Sequence, residues 1–497
     1  MFTNLWRKLF IILVVAFFPG LLFGAQGTLD PSFHGSGSTT FTTLDIGNRP
    51  NAVAVQRDGK IVVADTFPGS QFGPHVNVIR YHTDGTLDTS FGTAGSVMYD
   101  PDHAFATDVA IQKDGKIVVA GMRLNDDTAE YELLLLRYNT NGTLDAGFGT
   151  GGVVIYVNHQ GANGFATVNK LAIQDDGKIV VAGYTEGPDS DKDMLLLRYN
   201  TNGTLDGGFG SGGVVTFTDF VYNDPSADPE VHLAFPEVYA RDVKIMPDGS
   251  IAVLIQSATC VTVLKYSSTG AFVSQYKPFC GDIAVPGYGL AATAQSMDVQ
   301  EDGKIVVVGE VGLIYALRYG TDGQFDRTFG ISTPKGANVF DYPTFFGSDP
   351  DGAGWCSVHD VVIQPDGKIL VLGNIPFDHT GDHFSDEQDL LVLRLDSAGA
   401  YDPMFGDRGA FVFDGGARTE PLEGDLGISL AIQPNGDIIV AGDSIAPATT
   451  DGHYDLLVLR ILGEPLADIE VLPTAVDFGD VTVASNKTLQ VTLYNKG

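Results

Sequence analysis

Apolar residues in this chain fall into two recurring textures. One alternates with polar residues, as in DVAIQ at 108–112, and the other is continuous, as in KIVVA at 116–120 and LLLLRY at 133–138. Alternation predicts a strand with one buried face, and a short continuous run of Val, Ile and Leu predicts a strand covered on both. The two are joined by Asp-Gly, which between apolar runs reads as a hairpin with a type I′ turn, positive φ at both central residues. This core recurs as DGKIVV at 58–63, 114–119, 176–181 and 302–307, as DGSIAV at 248–253, as DGKILV at 366–371 and as NGDIIV at 435–440. The seven copies stand 54 to 72 residues apart, and a repeat of that period governs the whole fold.

Each unit parses into four strands, lettered A to D. Strand A is the alternating stretch, B the run after the turn, and C the apolar run ending in Arg-Tyr, as at 133–138 and 194–199. A turn-rich connector, TNGTLDAGFGTGG at 140–152, leads to strand D, as in GVVIYV at 152–157. No extended segment carries apolar residues at i, i+3, i+4 and i+7, so helical architectures fall away. Four antiparallel strands per unit, with faces covered by neighbouring units, predict an all-β, seven-bladed β-propeller over 27–462. An open β-solenoid is the second architecture, disfavoured because its repeats are much shorter. The phase of the repeat adds one expectation. The last C strand, 456–461, has no D strand after it, while a D-like stretch, GSGSTTFT, precedes the first A strand. Residues 36–43 are therefore expected to pair within 428–461, closing the ring and removing exposed edges.

Composition changes this picture in three places. Gly supplies 61 of 497 residues, which in a chain this apolar reads as turn chemistry in an ordered β protein. The formal charge of −33 argues against nucleic acid, whose binding needs a clustered basic footprint, and suits a solvated acidic surface with some attraction for divalent cations. At the N-terminus Arg7 and Lys8 precede an uncharged apolar run at 9–18 and a Pro-Gly break, the layout of a secretory signal peptide over 1–25. An uncleaved anchor is the alternative there, and no later stretch is long or apolar enough to span a bilayer. The three cysteines are Cys260, Cys280 and Cys356. A hairpin around Gly270 would set Cys260 opposite Cys280, so a disulfide is expected between them in an oxidising compartment, with Cys356 a small buried apolar residue.

The series GTLDxxFG at 85–92, 142–149 and 203–210, with VAIQxDGKIVVAG and LLLRY, resembles the bacterial delta-60 repeat family over roughly residues 27–462. That resemblance implies a propeller in a secreted or surface-exposed protein, and it carries over no catalytic residues. Unit four departs most, with SSTGAFVSQY at 267–276 and Lys265 in place of the repeat arginine; unit seven departs as well. From 466 onward, LADIEVLPTAVDFGDVTVASNKTLQVTLYNKG resembles the start of immunoglobulin-like domains of the choice-of-anchor D and HYDIN-type group. Such sandwiches need about 100 residues, so 466–497 is expected to be a partial domain.

With A innermost, the A-to-B and C-to-D turns share one face and the B-to-C and D-to-A loops share the other. The first face repeats, so its turns and the strand-C arginines (Arg80, Arg137, Arg198, Arg318, Arg394 and Arg460) are read as architecture, the arginines pairing with repeat aspartates such as Asp145 and Asp206. The second face varies, and loops on a rigid scaffold are where recognition resides. Its candidates are 218–239 with Phe220, Tyr222, Phe235 and Tyr239, 341–357 with Tyr342, Phe345, Phe346 and Trp355, 374–389 with His379 and His383, and the segment around 187–193. Aromatics beside acids suit stacking on a sugar or gripping a protein partner.

Two metal readings are weak. Asp189, Asp191 and Asp193 have calcium-loop spacing, but Met194 follows where glycine is needed. His379 and His383, with Asp378 or Asp382, lack a metalloprotease helix and glutamate. No catalytic, cofactor or metal residue is assigned. The function expected is a secreted or cell-surface binding module, monomeric, for a polysaccharide or protein partner. The alternative is a propeller hydrolase or lyase, calcium-dependent in one version, which requires His232, His379 or His383 to converge with carboxylates.

Overall fold

The computed structural model describes residues 26–41, 49–67, 73–99, 103–157, 165–186, 191–218, 220–222, 233–235, 237–257, 260–280, 292–310, 313–330, 337–340, 356–376, 388–413, 425–445, 454–463, 469–472 and 492–495. The expected signal peptide at 1–25 lies outside them. Of the expected partial domain at 466–497, only the antiparallel pair Ile469–Leu472 and Thr492–Asn495 is described. Among the described residues there is no helix, and none long and apolar enough to cross a membrane.

Seven antiparallel sheets with path A-B-C-D form the blades. Blade 2 is representative: Ala104–Ile111, Ile117–Asn125, Glu130–Tyr138 and Val153–Tyr156. The A strands are Arg49–Val55, Ala104–Ile111, Ala166–Ile173, Tyr239–Ile245, Thr293–Val299, Ser357–Ile363 and Leu426–Ile432. Each packs on the next and the seventh packs on the first, so they line the axis of a seven-bladed ring. In the seventh sheet the outer strand is Ser38–Phe41, paired with Tyr454–Ile461 in the register Ser38↔Leu459 to Phe41↔Leu456. Every A–B pair carries a bulge at the same place, as between Ala106 and Asp108, which twists the inner strand and turns its residues towards the axis.

The A–B turns differ from the type I′ expectation. In blade 1 the Gly59 N–H donates to Gln56 O and the Gln56 N–H to Lys60 O, both at 2.8 Å. Only the glycine has positive φ, 81° at Gly59 and 77° to 92° in the other six blades. The loop is thus three residues long, a type I turn followed by a left-handed glycine, and the aspartate caps it from the side: Asp58 Oδ1 accepts the Lys60 N–H at 3.3 Å. Three-residue loops of this kind are the next most common hairpin connection after the primed two-residue turns.

Seven apolar clusters hold the ring, and each lies between two neighbouring sheets rather than within one. Strands B and C contribute to clusters on both sides, which explains their unbroken apolar runs. A second device links the blades on the turn face. Arg137 donates through Nε and Nη2 to Asp145 Oδ2 at 2.8 and 2.7 Å, lies 4.4 Å over the Phe148 ring, and reaches through Nη1 to the Thr201 carbonyl of the next blade. The same set recurs at Arg80, Arg198 and Arg318 with Asp88, Asp206 and Asp326. Burial alone would raise the Asp88 and Asp326 carboxyls, but hydrogen bonds from Ser90 and Thr328 and the arginine charge hold both well below the usual range. The next blade's turn glycine seats against Phe148, Phe209 and Phe329: a Cβ on Gly203 would meet Gly149 N at 2.7 Å and the Phe148 ring at 3.0 Å.

Blade 7 draws these parts from the N-terminal side. Arg460 pairs with Asp30 at 2.6 Å and lies 5.0 Å over Phe33, so Gly27 to Phe33 (GTLDPSF) is the last blade's copy of the motif. Blade 4 departs as its sequence foretells. Lys265 turns to Asp248 at 2.8 Å, the register of strands C and D slips at Tyr266, and a short strand Phe279–Cys280 adds to strand C. Cys260 is disulfide-bonded and its register partner is Cys280; Cys356 is buried between blades 5 and 6.

Candidate ligand-binding face

On the loop face, the strand ends of blades 2, 3 and 4 bring five aromatic rings into a row. Phe105 is the second residue of strand A of blade 2, Tyr131 the second of its strand C, Phe165 precedes strand A of blade 3, Tyr184 lies near the end of its strand B, and Tyr239 begins strand A of blade 4. Successive centroids are 5.9, 6.2, 6.0 and 5.0 Å apart, mostly edge to face. All five are partly buried. Each ring comes from at or near the loop end of a strand, which is what brings residues of three blades together on this face.

Charged groups flank the row. The Lys192 ammonium lies 5.7 Å from the Phe165 centroid and 5.4 Å from that of Tyr184, and pairs with Glu186 at 3.2 Å. Arg241 lies 5.6 Å over Tyr239 and donates to Gln256 Oε1 at 3.1 Å; burial pulls its pKa below the ordinary arginine value. The Tyr239 hydroxyl donates to Glu237 Oε2 at 2.8 Å, and burial with that carboxylate pushes the phenol up to about 12. Glu132 is fixed by Arg123 and Asn125 at 2.7 to 2.8 Å. Planar apolar surface with acids, amides and cations at its edge can stack on a ring and hydrogen-bond its substituents.

A second polar group lines the axis. Asp108, Lys170, Asp242, Ser296, Asp360 and Ser429 occupy one level of six different A strands, with Lys244 and Asp298 two residues further on. These acids are spoken for by backbone. Asp108 Oδ2 accepts the Leu171 N–H at 2.8 Å, Asp242 Oδ2 that of Met297 at 2.9 Å, and Asp360 Oδ2 that of Leu430 at 3.0 Å. Lys170 and Lys244 lie 3.6 and 3.8 Å from Asp108 and Asp242, and the surrounding carboxylates outweigh burial to raise both ammonium pKa values. His359 is held by Ser357 and Asn374 at 3.0 and 2.8 Å, and burial keeps its imidazole down to about 4 despite Asp360 beside it. The axis is therefore a set of clamps between blades.

The strand-C arginines and their aspartates sit where the sequence placed them. Of the loop candidates, Tyr239 joins the aromatic row. Phe220, Tyr222 and Phe235 lie on a short strand pair, Phe220–Tyr222 with Leu233–Phe235. His232, Tyr342, Phe345, Phe346, Trp355, Asp378, His379, Asp382 and His383 lie outside the described residues, as does Asp189. Among the described residues no three His, Cys, Asp or Glu side chains form a cation cage. Sequence reasoning missed Phe105, Tyr131, Phe165 and Tyr184. The available signal was an aromatic at the loop end of two of the three long strands in each of units two and three.

Four segments, 56–91, 112–148, 174–209 and 300–329, match a family described as a domain of unknown function (DUF5122) beta-propeller. They span the stretch from the A–B turn to the Phe of the GTLDxxF motif in units one, two, three and five. No curated protein matches the chain. Among solved structures, a virginiamycin B lyase from Staphylococcus aureus is 10% identical with a TM-score of 0.43, over 86% of this chain and 99% of that one. A Lactobacillus plantarum protein is 12% identical at 0.43, over 82% and 96%. The calcium-binding protein regucalcin from Agrobacterium tumefaciens is 14% identical at 0.34, over 72% and 91%. No site residue is carried over from these.

Proposed function

We propose that this propeller is an exported binding module whose loop face holds an extended polysaccharide along the row Phe105, Tyr131, Phe165, Tyr184 and Tyr239. The observation that carries the reading is the row itself. Partly exposed rings at spacings of 5.0 to 6.2 Å, crossing three blades and flanked by Lys192 and Arg241, offer successive stacking positions to a polymer. Binding without catalysis is the economical version, because the side chains beside the row are hydrogen-bonded or ion-paired to one another. In the same reading residues 1–25 direct export, the strand Ser38–Phe41 closes the ring, and the segment 466–497 opens an immunoglobulin-like spacer. The apolar run at 9–18, the pairing of Ser38–Phe41 with Tyr454–Ile461 and the strand pair in the tail support these parts in turn.

The test is affinity electrophoresis of the full chain against a panel of neutral and acidic polysaccharides, followed by titration of the best one. Replacing Tyr131, Phe165 or Tyr184 by Ala is expected to weaken binding about two- to tenfold each, the worth of one aromatic contact at ~0.5–1.5 kcal/mol, without lowering the melting temperature by more than a few degrees. Binding that survives the triple replacement, or no retardation by any polysaccharide, retires the proposal. Release of new reducing ends or unsaturated sugars would instead favour the hydrolase or lyase reading.

A further inference from the structure

The turn face is nearly uniform, and blade 4 is where it changes. The residue before the A–B turn is Gln56, Gln112, Gln174, Gln300, Gln364 and Gln433 in six blades and Met246 in the fourth. Three of these amides tie a turn to the next: Nε2 of Gln56, Gln112 and Gln433 donates to the carbonyls of Gly115, Gly177 and Gly59 at 3.3, 3.3 and 2.9 Å. Among the described residues no such bond joins blade 3 to blade 4, blade 5 to blade 6 or blade 6 to blade 7, although each of those blades has the amide to make one. Blade 4 cannot make one to blade 5, because a thioether has no N–H to give. Ser250 also stands where five other blades have the lysine that reaches a GTLD aspartate.

An open cleft of about 500 Å3 lies here, across the ends of the A strands of blades 3, 4 and 5. Its apolar part includes Ile245, Met246 and Val299, and its acids are Asp175, Asp176 and Glu301; no Lys or Arg lines it. Lys113 reaches Asp175 at 2.9 Å and Lys178 reaches Asp176 at 3.7 Å, but no ion pair reaches Glu301 among the described residues. The volume falls within the ~300–1,000 Å3 of small-molecule sites, and the lining combines apolar surface with uncompensated negative charge.

We propose that this cleft binds a small organic amine, its apolar body on Ile245, Met246 and Val299 and its ammonium at the Glu301 side. The site is on the opposite face from the aromatic row and stands or falls without it. The same apolar surface would accept a neutral analogue less well and an anionic one least, because the exposed Glu301 carboxylate adds a screened attraction for a cation and repels an anion.

Three probes of one shape separate these cases: 3-phenylpropylamine, 3-phenylpropanol and 3-phenylpropanoate, titrated into the full chain by calorimetry and saturation-transfer NMR. The amine should bind, the alcohol more weakly and the carboxylate least. Glu301→Gln should weaken the amine about two- to fivefold, the range of a solvent-exposed ion pair, and leave the alcohol unchanged. Met246→Gln places at this position the residue used by the other six blades, so folding should survive, as a melting curve will show, while binding of both amine and alcohol falls. Equal affinity for amine and alcohol, amine binding unaffected by Met246→Gln, or no binding at millimolar concentration would each overturn the proposal.

Discussion

At the scale of single residues, the seam between blades 7 and 1 leaves a buried acid without the partner its counterparts have. In four blades a side chain near the end of strand B accepts a backbone N–H from the next inner strand: Thr66 from Ala106, Gln256 from Ala294, Glu310 from Val358 and Asn374 from Gly427, at 2.8 to 3.4 Å. At the seam the accepting residue is Asp443 and the matching donor position is Pro50, which has no N–H to give. Asp443 Oδ1 is left without a hydrogen-bond partner, and Oδ2 has Arg49 at 3.8 Å. Asp65, which takes the place held by Gly121, Gly183, Gly309, Gly373 and Gly442 in other blades, is fully buried beside it. Burial first, and then the Asp443 charge, push Asp65 up to about 8 although Asn77 draws it back; burial likewise pushes Asp443 up to about 7 against the pull of Arg49. Tyr81, the other titratable group near Asp65, is raised further still by burial. Between about pH 4 and pH 8 the folded chain thus keeps protons that the unfolded chain has released, so stability falls as pH rises through that window. Asp443→Asn is expected to raise stability at pH 8 by on the order of 1 kcal/mol and to change little at pH 4, read from melting curves at both values. An equal gain at the two pH values would mean that packing, not ionisation, is responsible.

At the scale of elements, the segment Gln26 to Phe41 does more than supply a strand. Gln26 Oε1 accepts from Arg394 of blade 6 and Gln26 O from the Gly406 N–H, Asp30 and Phe33 complete the arginine set of blade 7, and the His34 N–H donates to Asp84 O of blade 1. Its removal exposes the outer edge of Tyr454–Ile461 and strands the Arg460 charge at once. Deleting 26–41 is therefore expected to abolish the single cooperative melting transition or to lower its midpoint by more than 10 °C, of the order that several lost kcal/mol produce. An unchanged midpoint would show that the ring holds without it. This scale is also where sequence reading served best. The alternation in DVAIQ and the unbroken LLLLRY returned the right strands and their order from the axis outward, because each texture is dictated by how many faces a strand buries. The turn between them was misread, since Asp-Gly alone does not say whether a loop closes at two residues or three; the closing pair Gln56–Lys60 decides it. The N-terminal GTLDPSF went unassigned for a different reason: its arginine, Arg460, lies 430 residues away.

At the scale of the whole molecule, stability is spread over seven similar junctions, and both proposed binding features arise where the units differ. Phe105, Tyr131, Phe165, Tyr184 and Tyr239 are ordinary one by one, each an aromatic at or near the loop end of a strand. Only the curvature of the ring gathers them from three units, so the local pattern marks single aromatics and not their alignment. The cleft at Met246 was hidden in another way. Blade 4 was visibly irregular in sequence, yet what Met246 withholds becomes plain only beside the bonds that Gln56, Gln112 and Gln433 make.

The meeting of the first and last blade-forming residues has a practical corollary. The Gly27 N–H donates to Leu462 O at 2.9 Å and the Leu462 N–H to Thr28 O at 2.8 Å, so the two ends of the ring run side by side within a strand's width. A short peptide can bridge them, and the backbone can be cut instead in a loop between any two blades. The composite blade then becomes an ordinary one and a formerly continuous blade becomes composite. The order of blades along the chain is thus a choice of where to start reading a circle.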